Sequence, residues 1–352
     1  MLKHKPKIGI TIGDLNGIGI EVIMKTFVNE KMFDFCVPVV YGSSKAFSYH
    51  KNLLVMKDFQ FNIVSAIEKL KPNALNILNC WEEEVQINIG KADKTTAFYA
   101  LKALDAAAYD LSQNKIDAIV TAPVNKSLLG DSQKPFNGQT EFFGEKFSSP
   151  DTLMFMVSEN LKVGLVTNHT AIKDVASKVN KETVLKKIKL MAHSLSRDFS
   201  INKPKLVVLG LNPHAGENGT IGQEDEEHIL PAIEIAKAEG ILVFGPFSAD
   251  GFFGSGSYKY YDGILAMYHD QGLIPFKTLA FGQGVNFTAG MPVVRTSPDH
   301  GVGYNIAGQN TASPDSFREA VFLAIDILHN RVSYDEMHQN PIKKTVLASE
   351  VP

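Results

Sequence analysis

The sequence predicts an α/β protein built on a parallel sheet, and two observations carry that prediction. Short apolar, β-branched runs alternate with stretches of helical periodicity along most of the 352 residues. Three of those runs, within residues 163–169, 206–214 and 264–269, end at His169, His214 and His269. Ligand sites in open α/β sheets gather outside the carboxyl ends of parallel strands, so three histidines at three strand ends could converge on one point. Three neutral imidazoles with an open position describe a catalytic metal centre rather than a structural one, although any one of them alone is more often a packed residue.

In chain order the strand candidates are residues 7–12, 37–41, 116–121, 163–167, 205–211, 241–244 and 264–267. Each is a short run rich in Val, Ile or Leu. Phe98, Leu101, Leu104, Ala108 and Leu111 recur at three- and four-residue spacing, which predicts an amphipathic helix over 95–112 feeding the strand at Ile116. Similar patterns cover 182–197 and 226–239, and a last helix over 316–329 aligns Phe317, Val321, Ala324, Ile325 and Leu328. The acidic runs 82–84 and 224–227 read as solvated helix starts. Residues 130–150, rich in Gly, Pro, Ser and Phe, read as a loop or a domain crossing.

Length favours about two domains. Hydrophobic residues at 44% and charged residues at 21% match ordinary globular usage and argue against disorder. A formal charge of -3 offers no broad attraction for nucleic acid or anionic membrane, so anion recognition falls to a few placed cations. Cys36 and Cys80 stand outside any CxxC spacing, which leaves neither a disulfide framework nor a thiolate zinc cluster. With no apolar run near the roughly 20 residues of a membrane span, a soluble cytoplasmic protein is expected.

Several loops carry polar chemistry. Gly13-Asp-Leu-Asn-Gly-Ile-Gly19 leaves a strand and enters a helix; it is either an anion cradle of backbone N–H groups or a tight turn. Thr121-Ala-Pro-Val-Asn-Lys126 sets one lysine at another strand end, where a solvated surface lysine is the simpler reading. Lys277 and Arg295 flank a stretch with few other charges, as a clamp for a small dianion would, with Asn286 as a neutral contact; two unrelated surface cations give the same spacing. His193 and His228 fall inside helical patterns, and His4, His50, His329 and His338 near expected surface.

These blocks, together with Gly138-Gln-Thr-Glu141, Asn212-Pro-His-Ala-Gly-Glu217, Gly245-Pro-Phe-Ser-Ala-Asp250, Tyr268-His-Asp-Gln-Gly272 and Arg295-Thr-Ser-Pro-Asp-His-Gly301, span nearly the whole chain. Their order resembles the 4-hydroxythreonine-4-phosphate dehydrogenases of vitamin B6 biosynthesis. The segment from Asp299 to Gly308 also resembles the adenosine-binding loop of isocitrate and isopropylmalate dehydrogenases.

The resemblance implies an isocitrate dehydrogenase-like fold of two α/β/α domains around a cleft. Residues 1–135 plus 290–352 would form the cofactor side and 136–289 the metal and substrate side. It implies oxidation of 4-phosphooxy-L-threonine by NAD, with NADP possible, followed by decarboxylation to 3-amino-2-oxopropyl phosphate. His169, His214 and His269 would bind one divalent ion (zinc, magnesium or cobalt) at a homodimer interface, with ligands from both subunits. Gln139, Thr140, Lys277, Asn286 and Arg295 match substrate positions, and Gly301, Asn305, Ile306 and Ala307 the cofactor loop. Asp250 and Asp270 would orient ligands or manage a proton.

Two residues depart from the family pattern. Gln139 stands where the family usually has His, and so cannot become a cation near neutral pH. Asn305 stands where the related loop commonly has Asp, which weakens the preference for NAD over NADP. A threonate or erythronate 4-phosphate dehydrogenase is the near alternative. A phosphate acyltransferase of related fold and a zinc hydrolase are remoter ones.

Overall fold

The computed structural model describes residues 4–129, 138–280 and 282–339. Its strands are β1 (Lys7–Thr11), β2 (Val37–Gly42), β3 (Asn62–Val64), β4 (Asn76–Asn79), β5 (Ala118–Thr121) and β6 (Leu153–Ser158). They continue with β7 (Leu161–Leu165), β8 (Leu206–Leu209), β9 (Val243–Phe247), β10 (Gly263–Ala266), β11 (Val285–Ala289) and β12 (Val294–Pro298). One twelve-stranded sheet joins them in the order β3-β4-β2-β1-β5-β12-β11-β6-β7-β10-β8-β9.

The sheet is mixed rather than wholly parallel. Strands β3 to β12 at one side are mutually parallel, as are β7, β10, β8 and β9 at the other. Antiparallel pairings of β11 with β12 and β6, and of β6 with β7, join the two blocks. Strands β3, β4, β6, β11 and β12 are additional to those expected. Three of them lie in or beside the antiparallel centre, where no helix alternates with each strand, so a search for βα rhythm passes over them.

The expected helices are present as Lys94–Ser112, Lys181–Arg197, Leu230–Ala238 and Asp315–His338. The last extends beyond the expected end, and it packs on β12, β5 and β11. A buried ion pair, Arg331 Nε to Asp198 Oδ1 at 2.6 Å, ties it to the end of Lys181–Arg197. Within the expected loop 130–150, residues 130–137 lie outside the described part, and Gln139–Lys146 is helical. The run 82–84 starts no helix, and within 224–227 Asp225 is buried rather than solvated.

His50 is also a correction. It is buried, not at the surface, because its Nε2 donates to the Leu15 carbonyl at 2.8 Å inside the fold. That carbonyl belongs to the first glycine loop, which proves to be a tight turn. The N–H groups of Asp14, Gly17 and Ile18 bond to backbone carbonyls of Pro123, Asp14 and Val302, leaving none of the three for an anion. A Cβ on Gly17 would lie 2.7 Å from the Val302 carbonyl, so glycine permits the contact between the two glycine-rich loops.

Candidate active site

Strand β12 lies beside β5 with Arg295 opposite Ile119, which brings Arg295 close to Thr121 at the end of β5. Its guanidinium is almost fully buried at the wall of a cavity of about 240 Å³. Nη2 donates to Thr121 Oγ1 and to Gln139 Oε1, both at 2.7 Å, and Nε to Thr121 Oγ1 at 3.2 Å. Nη1 lies 3.5 Å from both Thr140 Oγ1 and Thr288 Oγ1. These partners are all neutral. Burial pushes the guanidinium down to about 10, so it still carries its charge near neutral pH. A buried cation held only by neutral acceptors keeps its charge available to an anionic ligand.

Gln139, Thr140, Asn286, Arg295, His169 and Gly301 share this cavity. Lys277 stands at its edge, with Nζ 2.8 Å from Oδ1 of the lining residue Asp299. Lys277 and Arg295 differ in setting: one is exposed and paired with Asp299, the other is buried, hydrogen-bonded to neutral groups, with Glu141 as a counter-charge in the same cavity. Lys126 joins them, half-buried, with Nζ 3.4 Å from His169 Nε2. Burial holds its ammonium below the usual lysine range, against the Glu141 charge and with a smaller push from Arg295.

Burial, and then the Lys126 charge, lower the His169 pKa, which favours neutral imidazole. The ammonium donates to Nε2, so that nitrogen bears the lone pair. The His269 ring centroid is 5.9 Å away, and His269 Nδ1 lies 2.7 Å from Asp270 Oδ1, which leaves its Nε2 free. Strands β7, β10 and β8 are adjacent and parallel, so the three histidines do follow neighbouring strand ends.

His214, however, stands apart. It lines a separate cavity of about 480 Å³ with Asp250 and Asp270. His214 has φ +55° in a turn over Pro213–Gly216, a left-handed conformation uncommon for such a residue. Buried Asp225 holds the entry to that turn: Oδ1 accepts from Leu211 N at 2.8 Å, and Oδ2 from Asn212 N at 3.1 Å. Gln271 links the two strand ends, accepting from Met267 N at 2.7 Å and donating to Gly210 O at 2.6 Å. Among the described residues of one chain, no three His, Cys, Asp or Glu side chains are grouped to hold a metal ion.

The turn carrying Asn305, Ile306 and Ala307 is anchored through Tyr304. Its hydroxyl donates to Asp14 Oδ2 at 2.6 Å, and buried Asp14 also accepts from Asn16 N and Thr96 Oγ1. Asn305 itself is exposed, with its carbonyl accepting from Gln309 Nε2 at 2.8 Å. The sequence reading missed Asp14, Glu141, Asp225 and His300. Asp14, Glu141 and His300 lay in motifs already quoted, the last two beside site candidates, whereas Asp225 lay only in an acidic run.

A profile of the family described as pyridoxal phosphate biosynthetic protein PdxA matches residues 34–324. The chain belongs to this family. A relative from Bacteroides thetaiotaomicron, named 4-hydroxythreonine-4-phosphate dehydrogenase, is 44% identical over 345 residues, covering 98% of this chain and 94% of its own. A second, from Oceanobacillus iheyensis, is provisionally named a D-threonate 4-phosphate dehydrogenase and is 36% identical, with 93% and 99% covered.

The crystal structure of 4-hydroxythreonine-4-phosphate dehydrogenase from Klebsiella pneumoniae is similar at a TM-score of 0.78 and 30% identity, with 92% of this chain and 98% of that chain covered. Isocitrate dehydrogenase from Methylococcus capsulatus, at a TM-score of 0.50 and 13% identity over 94% and 88%, shares the fold alone. The isocitrate dehydrogenase-like α/β fold expected from the sequence is therefore present.

Proposed function

We propose that this chain is a 4-hydroxythreonine-4-phosphate dehydrogenase. It would oxidise the secondary hydroxyl of 4-phosphooxy-L-threonine with NAD or NADP, and the resulting β-keto acid would lose carbon dioxide to give 3-amino-2-oxopropyl phosphate. The observation that carries this reading is Arg295, a buried cation with neutral described partners in the cavity that also holds Lys126 and His169. The substrate bears both a phosphate and a carboxylate, and two cavity cations with Lys277 at the rim supply matching charge.

His169, His269 and His214 would hold a divalent ion, with Asp250 and Asp270 beside them. One feature supports the fit: Asp270 orients His269 through Nδ1 as ligating imidazoles require, whereas the His169 Nε2 lone pair is met by Lys126, which would give way to the ion. Imidazole ligands suit zinc or cobalt better than magnesium. When bound, the ion supplies a Lewis acid at the reacting oxygen and the nicotinamide supplies the hydride acceptor.

His214 and Asp250 stand in a different cavity from His169, so the ligand set would be completed across a homodimer, His214 and Asp250 of one copy facing His169 and His269 of the other. Exposed Phe247, Tyr260 and Ile274 offer apolar area for that interface. A cleft between residues 1–135 plus 290–352 and residues 136–289 is supported by the cavity lining, since Thr121 and Arg295 come from one part, Thr140 and Asn286 from the other. The reaction would take place in the cytoplasm.

The test follows nicotinamide reduction and carbon dioxide release with purified protein, a divalent ion and 4-phosphooxy-L-threonine, with NAD and NADP in separate arms. Equal amounts of reduced nicotinamide and carbon dioxide are expected. No reduction in either arm overturns the assignment.

A further inference from the structure

We propose that Glu141, Asn286 and His300 form an ammonium-recognising set, which makes this cavity selective for an amino acid phosphate over the corresponding hydroxy acid phosphate. The inference rests on the reading above of a phosphorylated hydroxy amino acid and adds which groups read its amino substituent. All three residues line the cavity of Arg295. Glu141 Oε2, Asn286 Oδ1 and His300 Nε2 are each buried without a hydrogen-bond partner.

All three atoms are acceptors. For His300, burial favours the neutral ring, and Nδ1 lies 3.1 Å from the Gly301 carbonyl, which can only accept, so Nδ1 carries the hydrogen and Nε2 the lone pair. Buried acceptors without partners are rare in folded proteins, and three on residues that line one cavity call for an occupant that donates. Phosphate and carboxylate groups donate nothing when ionised. An ammonium donates three hydrogen bonds and carries the charge that Glu141 complements.

Glu141 sits in the first turn of helix Gln139–Lys146, and the glycine before that helix leaves room for its carboxylate. A Cβ on Gly138 would lie 2.6 Å from Glu141 Oε2. Glu141 also acts as a counter-charge to Lys126 and Arg295. That service is the same for every anionic ligand, whereas an ammonium acceptor distinguishes two ligands that share their anions.

The experiment compares kcat/KM for 4-phosphooxy-L-threonine and for 2,3-dihydroxy-4-phosphooxybutanoate, which keeps phosphate, carboxylate and reacting hydroxyl and replaces ammonium by hydroxyl. Glu141→Gln is expected to lower the preference for the ammonium substrate about 100-fold, as loss of a charged hydrogen bond predicts. Asn286→Asp is expected to raise the preference, a direction that misfolding cannot imitate. Equal effects of both variants on both substrates overturn the proposal. Calorimetric binding of the same two compounds without nicotinamide separates this outcome from failure of the functional reading. If wild-type protein turns over neither, preferential ammonium binding that Glu141→Gln abolishes still supports the acceptor set, and indifferent binding overturns it.

Discussion

Gln139 Oε1 accepts from Arg295 Nη2 at 2.7 Å while Gln139 Nε2 donates to the Ala122 carbonyl at 3.2 Å. One neutral side chain thus pins the buried guanidinium to the backbone after β5 without consuming its charge. Gln139→Glu would keep the shape and place a carboxylate against Arg295. The KM for the phosphorylated substrate should rise about 10- to 100-fold, with kcat changed much less, because a charge-assisted contact is lost on binding. Steady-state kinetics decide it, and an unchanged KM would mean that Arg295 does not meet the anion.

Asp270 Oδ1 lies 2.7 Å from His269 Nδ1, so the carboxylate sets both ring orientation and tautomer. Partners of this kind typically govern metal affinity by about 10- to 100-fold. Asp270→Ala should therefore weaken zinc binding by that factor, read by competition with a chelating dye. Affinity equal to wild type would remove His269 from the ligand set.

The fold's outer blocks were legible in the sequence because β1, β2, β5, β8 and β10 are short apolar runs with helices between them. The centre was not. Strands β6 and β7, and again β11 and β12, succeed each other with no helix between, and Arg295 sits inside β12, where a charged residue masks the strand pattern. The same residue explains why site chemistry was only partly legible. Spacing gave Lys277 and Arg295 equal standing, but only tertiary packing buries one and exposes the other. His50 was misread for a related reason: its bond to the Leu15 carbonyl spans 35 residues of sequence and leaves no local pattern.

Burial pushes the His50 pKa down from 6.5 to about 4. Because the folded value is depressed, the unfolded chain takes up the proton first as pH falls. Stability contributed by neutral His50 is present above 6.5 and is lost as pH falls toward 4. The full loss is about 3 kcal/mol at 1.36 kcal/mol per unit. His50→Gln removes this titration, so urea unfolding followed across that window should show a shallower pH dependence than wild type. Parallel curves would place the titrating group elsewhere.

His214 and His169 line different cavities of one chain, and this separation yields opposite expectations for sites built within or between subunits. Consider a purified heterodimer of a His169→Ala chain and a His214→Ala chain. If each centre takes His169 from one copy and His214 from the other, one centre loses both ligands and the other keeps both, so about half of wild-type activity per dimer should appear although each parent homodimer is inactive. Now pair wild type with a chain carrying both substitutions. Each shared centre then lacks one histidine, and activity should be nearly absent. Centres contained within single chains reverse the pattern: the first heterodimer is dead and the second keeps about half. Two differently tagged, co-expressed chains and one turnover assay therefore decide whether the metal ligands are shared.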